Sequence, residues 1–256
     1  MSVQACAELV KRGDRDRFLA AMAAPPAARA VLFPLYAFNL EVARAPWVAS
    51  EPMIAEMRLQ FWRDVVDEIG QGAKPRAHEV VAPLAGAVRA EDAGLLDALI
   101  AARRWDVYRD AFEDGAHFEA YIDATSGNLA WVAARALGAG AEAEAPVRDM
   151  AHGAGIAALL RAVPELEAHG RVPLPDGRPE GVRALADQAL ARLGRGKAGQ
   201  WAIPKPVRPV LYAFWRAEAA LRSARADPAR VAAGALDESE FARRGRLLRV
   251  SLTGRL

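Results

Sequence analysis

Apolar residues recur at steps of three and four along almost the whole chain, and alternating runs of strand type are missing. That pattern restricts the molecule to helices packed on helices. Ile54, Met57, Phe61, Val65 and Ile69 mark one helical face, and Glu56, Gln60, Asp64 and Glu68 mark the opposite one. Ser50-Glu51-Pro52 is a start signal for this helix, with Ser50 as N-cap and Pro52 in the first turn. Similar stripes run through Leu95–Ile100, Leu129–Ala136, Ile156–Val163, Val182–Leu193 and Val207–Leu221. Gly and Pro fall mostly between them, so the spacing predicts about seven or eight helices. Pro26 suits a helix start after Ala24-Pro25. Pro34 is expected to kink or end the second helix, and another helix is expected to stop near Pro164. Gly115 reads as a helix end. No repeat and no internal boundary stands out, so residues 1–256 are expected to form a single all-α domain.

The chain carries 26% charged residues with a net charge of +2, which argues against nucleic acid as the main partner. A single cysteine, Cys6, excludes an internal disulfide or a cysteine metal cluster and suits a reducing, cytoplasmic setting. No apolar run approaches the roughly 18 to 20 residues of a bilayer span. The early charges of the N-terminal segment do not read as a signal peptide.

Few residues advertise chemistry. The histidines at 78, 117, 152 and 169 have no helical metal-ligand spacing. Nucleotide-loop and serine-hydrolase motifs are missing. Two acidic sets, Asp64–Glu68 and Asp106–Asp110–Asp114, would share a helix face and could hold Mg²⁺, or simply form solvated charged faces beside their neighbouring arginines. Arg29 and Arg161 sit in apolar surroundings. Each must meet an acidic partner, for which Glu41 and Glu165 are candidates, or an anionic ligand such as phosphate.

Three ordered motifs carry a resemblance. Arg29-Ala-Val-Leu-Phe-Pro-Leu-Tyr36-Ala-Phe38, then Tyr121-Ile-Asp-Ala-Thr-Ser-Gly127, then Arg161 followed by Gly170-Arg171-Val-Pro-Leu-Pro175, are similar to the corresponding segments of the squalene/phytoene synthase family. The resemblance implies the isoprenoid synthase fold, helices around a central cavity. It also implies that Arg29, Tyr36, Arg161 and Arg171 would contact a prenyl diphosphate if one is bound. Members of that family use two aspartate-rich motifs to hold Mg²⁺ around the departing diphosphate. Where the first should fall, this sequence has Ala43 and Arg44; where the second should fall, it has Ala162 and Leu166. With the motifs altered in this way, no metal or other cofactor is expected, and Mg²⁺ enters only if a modified prenyltransferase activity survives. Leu160-Arg161-Ala162-Val163-Pro164 and Arg58-Leu59-Gln60-Phe61-Trp62-Arg63 further resemble the branch of the family tied to assembly of respiratory complex I. That branch implies complex I subunits or assembly intermediates as partners, a position peripheral to the inner membrane, and a cavity able to keep a prenyl lipid. Arg243, Arg244, Arg246 and Arg249 interleave with Leu247, Leu248, Val250 and Leu252 in a basic tail. Such a tail suits either an anionic lipid surface or packing on the body of the fold.

Overall fold

The computed structural model describes residues 2–48, 51–108 and 110–256, and every regular element among them is helical. The helices are α1 (Val3–Gly13), α2 (Arg15–Ala23), α3 (Pro26–Arg44), α4 (Pro52–Gly70), α5 (Val81–Ala87), α6 (Ala93–Arg103) and α7 (Gly115–Ile122). They continue with α8 (Asn128–Ala136), α9 (Glu144–Ala168), α10 (Pro179–Ala198), α11 (Ala217–Ala226), α12 (Ala229–Ala232) and α13 (Glu240–Thr253). The number exceeds the expectation of seven or eight, and one of the added boundaries is a single capping residue. Asp14 accepts a hydrogen bond from the Arg17 backbone N–H at 2.9 Å and so separates α1 from α2. Ser50, expected to cap α4, lies outside the described residues, as does Arg109. The helix itself begins at Pro52, as the proline signal requires.

α9 is the axis of the molecule. Its buried residues include the unbroken runs Met150–Gly153 and Gly155–Ala157, which no single face could supply, so neighbours cover it on several sides. α10 packs along its length, and α8 and α11 add to the shell. The buried apolar side chains from Cys6 to Val250 form one contiguous core.

Neither proline ends its helix. α3 continues past Pro34 to Arg44, and α9 continues past Pro164 for one further turn to Ala168. Each proline removes one N–H from the helical ladder. Around Pro34, however, every residue from Leu32 to Asn39 is buried, so packing on all sides holds the helix despite the lost bond. Gly115 starts a helix instead of ending one, because Asp114 accepts the His117 N–H at 2.8 Å. The Val207–Leu221 stripe is not one helix either. Residues Arg208–Phe214 form a tighter 3₁₀ segment, and the α-helix resumes at Ala217.

α10 and α11 are tied by Glu218, whose carboxylate accepts from Lys197 Nζ at 2.7 Å and from Arg222 at 2.7 Å. Burial alone would raise its pKa, but the two cations hold it at about 2. The folded value lies below the unfolded one, so the stabilisation is complete above about pH 4.5 and is lost progressively towards pH 2. Glu218→Gln is therefore expected to cost about 1–2 kcal/mol at neutral pH. Urea denaturation at pH 7 and pH 3 checks this: the difference from wild type should shrink to less than half at the lower pH.

Candidate functional site

A cavity of about 290 Å³ opens between α2, α3, α8, α9 and the 210–217 segment. Much of its wall is alanine: Ala43 from α3, Ala130 and Ala133 from α8, and Ala154, Ala157 and Ala158 from α9. Side chains this short leave room that larger apolar residues would fill. Between α7 and α8 the chain makes a π-helical turn, Asp123–Gly127, and this turn brings Ser126 to the cavity. Gly155 permits that approach, because a Cβ there would lie 2.5 Å from the Ser126 hydroxyl oxygen. Inserted π turns recur at functional positions.

The polar part of the wall is built from α3. Tyr36 and Asn39 are each 4% exposed and line the cavity. Burial pushes the Tyr36 phenol up, so it stays protonated, and the Arg17 guanidinium lies 5.5 Å from its ring centre. Asn39 places a side-chain amide at the same wall. Arg103 also reaches the wall, donating to Tyr121 Oη at 2.7 Å and Asp106 Oδ2 at 2.9 Å while its buried Nε has no partner.

At the rim, five charged residues from separate segments interlock. Arg161 from α9 contacts Asp16 at 3.3 Å and Asp237 at 3.0 Å. Arg216 bonds both aspartates, reaching Asp237 at 2.5 Å, and Arg243 from α13 donates to Asp16 at 2.9 Å. Three guanidiniums thus share two carboxylates. Burial would raise the Asp237 pKa, but Arg161 and Arg216 hold it below the usual carboxylate range.

Of the four residues expected to contact a ligand, the structure brings two together. Tyr36 and Arg161 share the cavity. Arg29 does not reach it; its guanidinium caps the end of α2 by donating to the carbonyls of Ala24 at 2.8 Å and Met22 at 2.7 Å. Arg171 lies at a different, open depression of about 620 Å³, with its guanidinium 4.7 Å from the Trp47 ring centre and bonded to the Asp106 carbonyl. The partner of Arg161 is neither Glu41 nor Glu165 but the distant pair Asp16 and Asp237.

The acidic sets resolve separately. Asp64 and Glu68 meet Arg76 at 3.7 and 2.7 Å on the outside of α4, a solvated charged face. Asp106, Asp110 and Asp114 do not share a helix; Asp106 binds Arg103 and Tyr121, and Asp114 caps α7. Among the described residues no three His, Cys, Asp or Glu side chains group as metal ligands. The carboxylates that line the cavity, Asp14 and Asp16, face Arg17 at 3.6 Å and the rim arginines respectively. This donor set does not fit a Mg²⁺–diphosphate cluster, which needs carboxylate oxygens free to coordinate. Elsewhere, buried His152 bonds Glu119 through Nε2 at 2.6 Å, and burial holds its pKa below the ordinary value. Neither this dyad nor the rim was visible in the spacing of the sequence.

Comparisons with known proteins bear on the family and the fold. The squalene/phytoene synthase family model matches residues 10–177. Complex I assembly factor 6 of Bos taurus is 31% identical over 174 residues, which is 66% of this chain and 52% of that protein. The Homo sapiens protein of the same name is 29% identical over the same shares. The chain thus spans about half the length of these curated relatives. In structure it is similar to a dehydrosqualene synthase, with a TM-score of 0.79 at 15% identity over 98% of this chain and 95% of that one. It is also similar to the squalene synthase HpnC of Alicyclobacillus acidocaldarius, with a TM-score of 0.72 at 16% identity over 88% and 93%. The all-α fold around a cavity is therefore that of the isoprenoid synthases, and the chain belongs to the squalene/phytoene synthase family.

Proposed function

We propose that this chain is a non-catalytic member of its family that serves in the assembly of respiratory complex I, the NADH:ubiquinone oxidoreductase. One observation carries the reading: the carboxylates at the cavity are committed to arginines, so the wall offers cations where diphosphate ionisation would need metal-binding oxygens. Ala43 at the cavity and Arg44 beside it extend the same pattern to the position of the first aspartate motif. In this reading both aspartate motifs are lost. The likeness to proteins named complex I assembly factor 6 supplies the biological setting. Partners are then complex I subunits or intermediates, and the site of action is the cytoplasmic side of the inner membrane. No helix among the described residues is long and apolar enough to cross a membrane.

Deleting the gene tests the proposal. NADH:ubiquinone oxidoreductase activity of the membranes should fall and return with the wild-type gene. Purified protein supplied with Mg²⁺ and farnesyl or geranylgeranyl diphosphate should form no head-to-head product. Normal complex I in the deletion strain, or product formation in vitro, overturns it.

A second reading keeps the cavity as a holder of a prenyl lipid. Its apolar wall of small residues, with Tyr36 and Asn39 as the few polar groups, has the composition of a small-molecule pocket. The runner-up enzyme, a modified prenyltransferase, would have to work with Tyr36 and Arg161 alone, since Arg29 and Arg171 lie outside the cavity.

A further inference from the structure

α13 is folded onto the molecule by its charged side. Arg243 reaches Asp16 at the cavity rim, Arg246 bonds Glu238 at 2.6 Å, and Val250 is the helix's one buried residue. Its apolar side points the other way. Phe241, Leu248 and Leu252 are 90%, 59% and 77% exposed. At 100° per residue these three positions fall within about 40° of one another, so they form a single outward ridge. Arg244 and Arg249 flank that ridge, both exposed, and the helix holds four arginines against one glutamate. Past its end at Gly254 lies Arg208, whose segment also carries Lys205 and Trp201, the latter 81% exposed.

An apolar ridge held in water and bordered by arginines is the pattern of a helix that lies in a lipid headgroup region, with its apolar side in the acyl boundary and its cations on anionic lipid. A water-facing helix would show polar residues there. We propose that α13 docks this protein on an anionic bilayer through Phe241, Leu248 and Leu252, and that its Arg243–Asp16 link sets the cavity rim beside the membrane. The inference rests on α13 alone, outside the segment matched by the family model, and stands or falls separately from the assembly reading.

The experiment is flotation of the full chain with vesicles of phosphatidylcholine alone and of phosphatidylcholine with 30% phosphatidylglycerol. Binding is expected only to the anionic vesicles and should weaken at least tenfold between 0.1 and 0.5 M NaCl. The double variant Leu248→Asp, Leu252→Asp should lose at least tenfold in binding while its circular dichroism and melting stay as in wild type, because both side chains are exposed. Arg244→Gln with Arg249→Gln should weaken binding to anionic vesicles as well. Failure to float with anionic vesicles, or unchanged flotation of the double aspartate variant, overturns the proposal. So does a concentration-dependent dimer that the aspartate pair dissolves without any vesicle binding, since the ridge would then be covered by a second copy.

Discussion

Replacing Asp16 by asparagine is expected to destabilise the fold by about 3 kcal/mol and to lower Tm by roughly 6–12 °C. Asp16 is the hub of the rim: Arg161, Arg216 and Arg243 all converge on it, and Arg216 is only 9% exposed. The substitution keeps size and shape but removes one of two negative charges. Three guanidiniums are then left with Asp237, whose side chain is half exposed and carries less weight. The loss has two parts, the missing attraction and the uncompensated repulsion among cations that cannot all reach water. An exposed pair such as Arg244–Glu240 contributes far less by comparison, because water screens both charges. Chemical denaturation measures the effect. A double-mutant cycle with Arg216→Met assigns it, since the second change should recover part of the loss by removing the stranded charge. A destabilisation below about 1 kcal/mol would mean that solvent screens the rim far more than its burial implies.

The rim also explains why α13 and the cavity should respond together. Asp16 lies in the first turn of α2, so the side chain that holds the two arginines of the cavity wall also holds Arg243 of α13. Asp16→Asn should therefore loosen α13 before the rest of the fold, and amide exchange in α13 would report that directly.

The sequence made the helices legible because burial on one side repeats every three or four residues, but it set the face of α4 wrongly. Of the expected Ile54, Met57, Phe61, Val65 and Ile69 only Val65 and Ile69 are buried, Ile54 and Met57 are exposed, and the packed side is instead Ala55, Leu59, Trp62, Val65, Val66 and Ile69. It misled at Pro34, Pro164 and Gly115, where a local rule met a stronger neighbour. Proline weakens a helix by one hydrogen bond, and α3, buried from Leu32 to Asn39, tolerates that. Glycine marks helix ends only on average, and the cap supplied by Asp114 outweighed it.

The candidate site was half legible for a different reason. Tyr36 and Arg161 belong to motifs with a recognisable order, and both reach the cavity. Arg29 belongs to the same motif as Tyr36, but seven residues earlier on the helix it points to the end of α2. The rim could not be read at all. Arg161 and Asp237 are 76 residues apart, and no spacing rule connects an arginine in α9 with an aspartate in the connection before α13. Asn39 and Ser126 look ordinary in the sequence; only burial at the cavity, for Asn39, or a π turn, for Ser126, makes them notable.

The second large effect concerns the packing that holds the cavity's longest wall. Gly196 on α10 faces α9 so closely that a Cβ would stand 2.6 Å from Met150 Cγ, 2.8 Å from the Pro146 carbonyl oxygen and 2.9 Å from the Met150 backbone nitrogen. On the other helix Gly153 makes the reciprocal approach, with a Cβ 3.1 Å from the Ala189 carbonyl oxygen. Backbone atoms cannot move aside as a flexible side chain can, so Gly196→Ala must push the two helices apart. About 3 kcal/mol of destabilisation is expected, at the upper end for an added methyl in a packed core. Gly194, two residues earlier on the same helix, is exposed, and a Cβ there meets nothing within 4 Å. Gly194→Ala should instead stabilise by about 0.5–1 kcal/mol through helix propensity alone. The pair forms its own control: the same methyl group in the same helix is expected to act with opposite sign, and urea denaturation of the two variants decides it. A neutral or stabilising Gly196→Ala would show that α9 and α10 can part without cost, and that the alanines α9 lends to the cavity wall are not held by this contact.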